Sequence, residues 1–331
     1  MLYSTFAHYL NELNPSVFHI FLHHNADPDA LGAAQILKFM ITKLNINHEI
    51  KIYSDNLNVL SKRMVNEFEV VVFEEVGKIN EKNNNIVITV DTANISQLGK
   101  FADWVLDCNF DLLVIDHHET SELSKNATVS LIDKNVGSTC IIVDKLMNEL
   151  NLVPSPDIAT IILCGHIYDS RRMLYGTNSK ILLRLSELID IGGDFELANN
   201  LLQNNMSYGE RIARIKGARR LSYYTHDQKL IVISKIGAFE ASVARSLINM
   251  GADVVLVLGI KNNEMRGSGR TNIKNLNIGN IMKIIGEKFG GTGGGHAAAA
   301  GLNIVPLPEK NPLIPVIFAA FFLKLRELDG F

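Results

Sequence analysis

The sequence predicts an α/β protein in two domains, a parallel-sheet domain followed by a smaller α/β domain, and three observations predict it. Short apolar runs alternate with helical patterns through the first half, as βαβ units of a parallel sheet require. Several of those runs stop abruptly at acids and histidines, where a parallel sheet would present its carboxyl ends. Near Leu230 the alternation starts afresh after a charged helical stretch. A chain of 331 residues has core enough for two such domains.

In chain order, residues 1–15 read as a short helix that Pro15 closes. Val17–Leu22 is the first strand and runs into His23-His24-Asn25-Ala26-Asp27-Pro28-Asp29-Ala30-Leu31-Gly32; a helix then extends from near Asp29 to about Leu44. Glu49–Tyr53 is a second strand and Val70–Phe73 a short third. Asn85–Val90 is a strand ending at Asp91, and Leu112–Ile115 a buried one ending in Asp116-His117-His118. Val129–Ile132 leads to Asp133 and Gly137-Ser138-Thr139, then to a helix through Leu150. A second apolar helix over Ile158–Ile167 ends near Asp169. From Asn178 to Leu221 the pattern is helical and charged, a connector with a solvated face. Beyond it, Leu230–Ser234 and Val254–Ile260 read as strands around a helix from about Phe239 to Met250. A polar, hairpin-like stretch around Arg266–Arg270 precedes a helix over Ile278–Phe289. A glycine run at 290–295 then meets His296 and four alanines, which are helix formers. The divisions are a first domain over 1–185, a helical linker over 186–222 and a second domain over 223–331, with a cleft between the domains.

Composition narrows the function. With a formal net charge of -3, no global basic surface suits a long nucleic-acid polymer. Cys108, Cys140 and Cys164 are odd in number, widely spaced and without a CxxC pair; they read as small buried hydrophobes in a reducing cytoplasm. No signal peptide is visible. The apolar stretch from Leu313 to Leu323 is too short for a bilayer and suits either packing within the second domain or a homodimer contact.

The ends of the apolar elements carry the chemistry. An isolated Asp116-His117-His118 is as readily a solvated loop as a metal site. Four separate segments, however, deliver His23, Asp27, Asp29, Asp91, Asp116, His117, His118 and Asp169. Five carboxylates and three imidazoles on one edge repel one another unless a cation relieves them. Carboxylate and imidazole without thiolate favour borderline-hard divalent ions, Mn²⁺ first, then Mg²⁺ or Co²⁺. A closed structural zinc site, usually with cysteine, fits poorly. So many carboxylates suit two ions sharing a bridge, the apparatus of phosphoester hydrolysis.

His23-x3-Asp27-x-Asp29-Ala30-Leu31-Gly32, Asp91, Asp116-His117-His118 and Asp169 resemble the four motifs of the DHH phosphoesterase superfamily. Gly294-Gly295-His296-Ala297-Ala298-Ala299-Ala300-Gly301 resembles the signature of the DHH-associated substrate-binding domain. The resemblance covers almost the whole chain, in family order, and points to the RecJ-like nanoRNase and pAp-phosphatase group. It implies that His23 and Asp27 bind one metal, that Asp29, His117 and Asp169 bind a second, and that Asp91 bridges them. It further implies that His118 faces the scissile phosphate while Asp116 orients a neighbouring histidine. Arg266, Ser268 and Arg270 resemble the family's Ser-x-Arg element; with Gly294, Gly295 and His296 they would read the substrate's phosphate or backbone. Glycines opening a helix would bring backbone amides to that anion. Ser138-Thr139 resembles a pair that caps a helix facing the site, and capping alone would explain it. His24 reads as a bystander and His166 as a structural histidine.

The resulting expectation is metal-dependent hydrolysis of short single-stranded RNA or DNA to nucleoside 5′-monophosphates. Removal of the 3′-phosphate of pAp and hydrolysis of cyclic or linear dinucleotides would use the same machinery. A manganese-dependent pyrophosphatase would lack the glycine-His signature. A nucleotide-binding assembly protein would have no use for the full ligand set.

Overall fold

The computed structural model describes residues 2–13, 15, 17–44, 48–77, 85–92, 94–119, 122–203, 206–307 and 313–327. The chain divides into two compact units, Met1–Asn204 and Asn205–Phe331. The first runs α1 (Leu2–Glu12), β1 (Val17–Phe21), α2 (Pro28–Lys43), β2 (Glu49–Tyr53), α3 (Val59–Glu67), β3 (Asn85–Val90), α4 (Ala102–Asp107), β4 (Asp111–Asp116), α5 (Glu122–Asn126), β5 (Val129–Ile132), α6 (Thr139–Glu149), α7 (Pro156–Asp169), α8 (Ser179–Asp190) and α9 (Phe195–Leu201). Its sheet is parallel in the order β2-β1-β3-β4-β5. Chain order therefore reverses between β1 and β3, the crevice where such sheets bind ligands.

The pleat sorts the strand residues into two cores. Phe18, Ile20, Ile86, Ile88, Leu113 and Ile115 join the core built with α2, α6 and α7. Phe21, Val87 and Val114 face the other way, into an aromatic layer with Tyr53, Phe101 and Trp104. Covering both faces explains why β3 is buried along its whole length and reads as a continuous apolar run. The helices lie close because small residues permit it. A side chain at Gly165 of α7 would collide with the Cys140 thiol and stand 2.9 Å from a carboxylate oxygen of Asp29.

The expected third strand at Val70–Phe73 does not form. Phe73 makes a single bridge to Tyr53, and the chain bends away at the exposed Glu74 and Glu75. Part of the stretch read as a connector is built into the first unit: Leu188 of α8, and Ala198 and Leu201 of α9, lie in its main core. Cys140 and Cys164 are buried, while Cys108 is only half-buried.

The second unit runs α10 (Tyr208–Arg219), β6 (Ser222–His226), β7 (Lys229–Ile236), α11 (Glu240–Asn249), β8 (Val254–Lys261), β9 (Glu264–Thr271), α12 (Ile278–Lys288), β10 (Thr292–His296), β11 (Ala299–Ile304) and α13 (Leu313–Arg326). Its sheet has the order β10-β11-β9-β8-β7-β6, with β7 and β8 parallel and the other neighbours antiparallel. The polar stretch at Arg266–Arg270 is one arm of a hairpin, β9 against β8, turned by Asn262 and Asn263 at φ 50° and 60°. The glycine run does not open a helix, and the alanines do not form one. They make the hairpin of β10 and β11, because β9 offers β11 a partner along its length and α12 covers the small side chains. Leu313, Ile317, Phe321 and Leu325 of α13 join this unit's core. No helix among the described residues is long and apolar enough to cross a membrane.

His19 on β1 is buried beside Tyr53, 3.1 Å from its hydroxyl. Burial, reinforced by Lys51 opposite it on β2, pulls its pKa down to about 4. An unfolded histidine titrates near 6.5, so the folded state prefers the neutral ring. Stability is therefore lost as pH falls below about 6.5, and the loss is complete below about 4. We expect His19→Phe to remove roughly 2 kcal/mol of the decline between pH 7 and pH 4.5. Urea unfolding followed by the fluorescence of Trp104, the single tryptophan, measures it.

Candidate active site

The site collects where β1, β3 and β4 stop. After β1 the chain turns through Asn25 at φ 57° and enters α2, whose N-cap is Asp27. Oδ1 of Asp27 accepts the amides of Asp29 and Ala30, and the same oxygen lies 3.8 Å from His23 Nε2. Asp29, fully buried in the first turn of α2, accepts the amides of Thr139 and Cys140 at 2.6 and 3.0 Å. A carboxylate of α2 thus sits on the N-terminus of α6, where amides and the helix dipole favour negative charge.

Asp91 follows β3 in the left-handed region, at φ 56°, which turns its side chain out of the strand direction. Its two oxygens face different histidines. Oδ1 lies 3.5 Å from His117 Nε2, and Oδ2 lies 3.9 Å from His23 Nε2. Thr139 Oγ1 donates to Oδ1 at 2.9 Å and fixes the carboxylate plane. His117 Nε2 also stands 3.2 Å from Asp169 Oδ2, at the last residue of α7. His118 Nδ1 meets Asp116 Oδ1 at 2.7 Å; a carboxylate only accepts, so Nδ1 carries the proton, on a residue that is otherwise exposed.

Among the described residues, three overlapping groups have ligand atoms within 4.8 Å of one another: His23 with Asp27 and Asp91; Asp29 with His117 and Asp169; and Asp91 with Asp116, His117 and His118. The residues fit divalent ions on two counts. His117 Nε2 is buried among carboxylates yet has no hydrogen-bond partner among the described residues. The donors are oxygen and imidazole nitrogen without sulfur, a set for borderline-hard cations. Electrostatics shows the same strain. Burial raises Asp29 well above the usual carboxylate range, with Asp91 adding to it. Burial likewise raises Asp169, partly offset by His117. Burial acts to lower His23 and His117, but their carboxylate neighbours outweigh it and hold each at about 9. The Asp116 hydrogen bond raises His118.

His24 is not isolated: its Nδ1 meets Asp55 at 2.8 Å, on the exposed rim. His166 is fully buried between Ser138 and Thr177. Sequence reasoning treated Ser138-Thr139 as a capping pair. Ser138 does cap α6, but no local signal revealed the Thr139 contact with Asp91, which spans 48 positions.

In the second unit, Arg266, Ser268, Arg270, Gly294 and Gly295 line one groove of about 700 Å³. Cross-strand register explains it: Ser268, Gly301 and Gly294 form one row, and Arg270, Ala299 and His296 the next. His296 ends β10 exposed and is not among the lining residues. Gly295, at φ 145°, takes a backbone open to glycine, and a side chain there would stand 2.5 Å from the Ala299 carbonyl. The two arginines differ. Arg266 is exposed and held in a two-bond pair by Glu264, at 2.9 Å for each bond. Arg270 has a buried Nε without a hydrogen-bond partner among the described residues; burial and the nearby Arg245 both disfavour its charge.

Residues 17–166 match the model of the DHH family N-terminal domain, and residues 237–315 match that of the DHHA1 domain. The chain is 35% identical over 288 residues to an uncharacterized protein of Methanocaldococcus jannaschii, covering 85% of each. It is 26% identical to a Streptococcus mutans protein named a probable bifunctional oligoribonuclease and PAP phosphatase, covering 88% of this chain and 90% of that one. An exopolyphosphatase-related protein from Bacteroides fragilis shares the fold, with a TM-score of 0.65 at 14% identity over 98% of this chain and 96% of that one.

We expect Thr139→Val, which frees the Asp91 carboxylate, to weaken Mn²⁺ binding about tenfold, the scale of losing a partner behind a metal ligand. Calorimetric titration of the purified protein with Mn²⁺ measures it.

Proposed function

This chain belongs to the DHH family, and from that premise we propose that it hydrolyses the phosphodiester bonds of short oligonucleotides, releasing nucleoside 5′-monophosphates. The observation that carries the reading is the division of the Asp91 carboxylate between His23 and His117, the arrangement a bridging ligand needs. His23, Asp27 and Asp91 would hold one divalent ion, and Asp29, Asp91, His117 and Asp169 a second, with Mn²⁺ the first candidate. Such ions, when bound, lower the pKa of a bound water and neutralise phosphate charge.

The remaining work falls to the protein's own groups. Asp116 holds the His118 ring and raises its pKa, so that the ring is charged nearer neutrality. His118 Nε2 then donates to the phosphate and gives its proton to the leaving oxygen. In the second unit Arg270, whose Nε lacks a partner among the described residues, supplies a donor for a substrate phosphate, and Ser268 with the glycine edge supplies shape. A small groove on a chain of net charge -3 favours substrates of a few nucleotides. Unpaired cysteines suit a cytoplasmic setting. The name of the Streptococcus mutans relative favours one further activity, release of the 3′-phosphate from pAp.

The test is a product time course on 5′-labelled RNA and DNA, from dinucleotides to long oligomers, with pAp alongside. The expected outcome is Mn²⁺-dependent monophosphate release, fastest on the shortest chains; absence of release from every substrate overturns the reading. Asp91→Ala should cost more than the ~10–100-fold that attaches to an outer partner of a metal ligand. Arg270→Ala should raise KM for a dinucleotide by ~10–100-fold, as loss of a charged hydrogen bond does. Arg266→Ala, already paired with Glu264, should raise it far less in the same steady-state assay.

A further inference from the structure

The turn that follows Asp169 is built in an unusual way. Helix α7 ends in a Schellman motif: the Arg172 amide bonds the Ile167 carbonyl at 2.8 Å and the Arg171 amide that of Tyr168 at 3.2 Å. The position that normally holds glycine in this motif holds Arg171, at φ 48°. Arg172 and Met173 follow in the same left-handed region at 59° and 66°. Three consecutive side chains thus take a backbone that glycine would take more easily.

The turn is nonetheless pinned at both ends. Ser170 is buried, its Oγ accepts the Met173 amide at 2.9 Å, and its carbonyl accepts the Tyr175 amide at 3.0 Å. Gly176 packs on Gly137, and Arg172 donates to Asn199 at 2.9 Å. What the turn presents is an exposed guanidinium and an exposed ring. The Arg171 guanidinium lies 5.6 Å from the Tyr175 ring centre, and Tyr175 is 60% exposed. The bond from Tyr175 back to Ser170 keeps this pair beside Asp169, whose carboxylate faces His117.

We propose that Arg171 and Tyr175 form a platform on which a nucleobase of the substrate stacks. The base would lie on the open face of the Tyr175 ring, with the Arg171 charge behind it. An aromatic ring backed by a cation is what single-stranded nucleotides use for sequence-tolerant stacking. The platform would place a base next to the phosphate-cutting centre, and its backbone strain is the expense of fixing that position. This inference rests on the phosphoesterase reading above.

Steady-state kinetics of Tyr175→Ala, Tyr175→Trp and Arg171→Gly test it, on a dinucleotide and on the diribosyl phosphate that lacks both bases. For the dinucleotide, Tyr175→Ala should raise KM about 5- to 100-fold with kcat within about twofold, and Tyr175→Trp should restore KM. Arg171→Gly should raise KM while its Tm is not lower than that of the wild type, because glycine suits φ 48° better. The base-free substrate should be unaffected by all three. An unchanged dinucleotide KM, or an equal rise for the base-free substrate, overturns the platform. A wild-type protein that cleaves neither substrate overturns the phosphoesterase reading instead. Fluorescence anisotropy of a labelled dinucleotide on the same variants then decides the platform by itself: equal affinity for Tyr175→Ala and wild type refutes it.

Discussion

The first unit depends on one buried carboxylate. Asp29 is shielded from water, and an uncompensated charge there would cost several kcal/mol. The two leading amides of α6 compensate it, and they can do so only if α6 begins where it does. Gly165 of α7 leaves the room that this carboxylate and the Cys140 thiol occupy. Three helices are therefore placed by a single acidic side chain. Thr139, which donates its amide to Asp29, is also the residue whose hydroxyl fixes Asp91. The scaffold and the candidate site share a hydrogen-bonded chain.

The centre itself works against folding. Burial raises the proton affinity of Asp29 and Asp169, the neighbouring Asp91 and Asp27 raise it further, and the fold holds the four together by burying hydrophobic surface on both faces of the sheet. The histidines relieve part of this by charging. A bound divalent cation would relieve more, and would tie ion binding to stability in the same residues.

Much of this was legible because it lies on the sequence where β-strands end. His23, Asp91 and Asp116 each terminate an apolar run, and the strand ends of a parallel sheet converge. The parts that were not legible depend on pairing at long range or on backbone. The four alanines after His296 have high intrinsic helix propensity, but β9 and α12 provide a sheet position for them, and tertiary context overrides propensity. Strand β6 is polar and exposed at every position, so it carries no hydrophobic period to detect. The turn at Arg171 shows no glycine, the residue that advertises a left-handed helix end. Thr139 reads as helix-capping chemistry until its partner 48 residues away is in place.

Strand β10 is an outer strand of its sheet and consists largely of glycine. A side chain at Gly293 would collide with the Met282 carbonyl of α12, and one at Gly295 with the Ala299 carbonyl. Gly293 and Gly295 therefore cannot take a side chain unless backbone moves, whereas the space around Gly294 is open. The side chains that line the groove accordingly come largely from β9, β11 and α11.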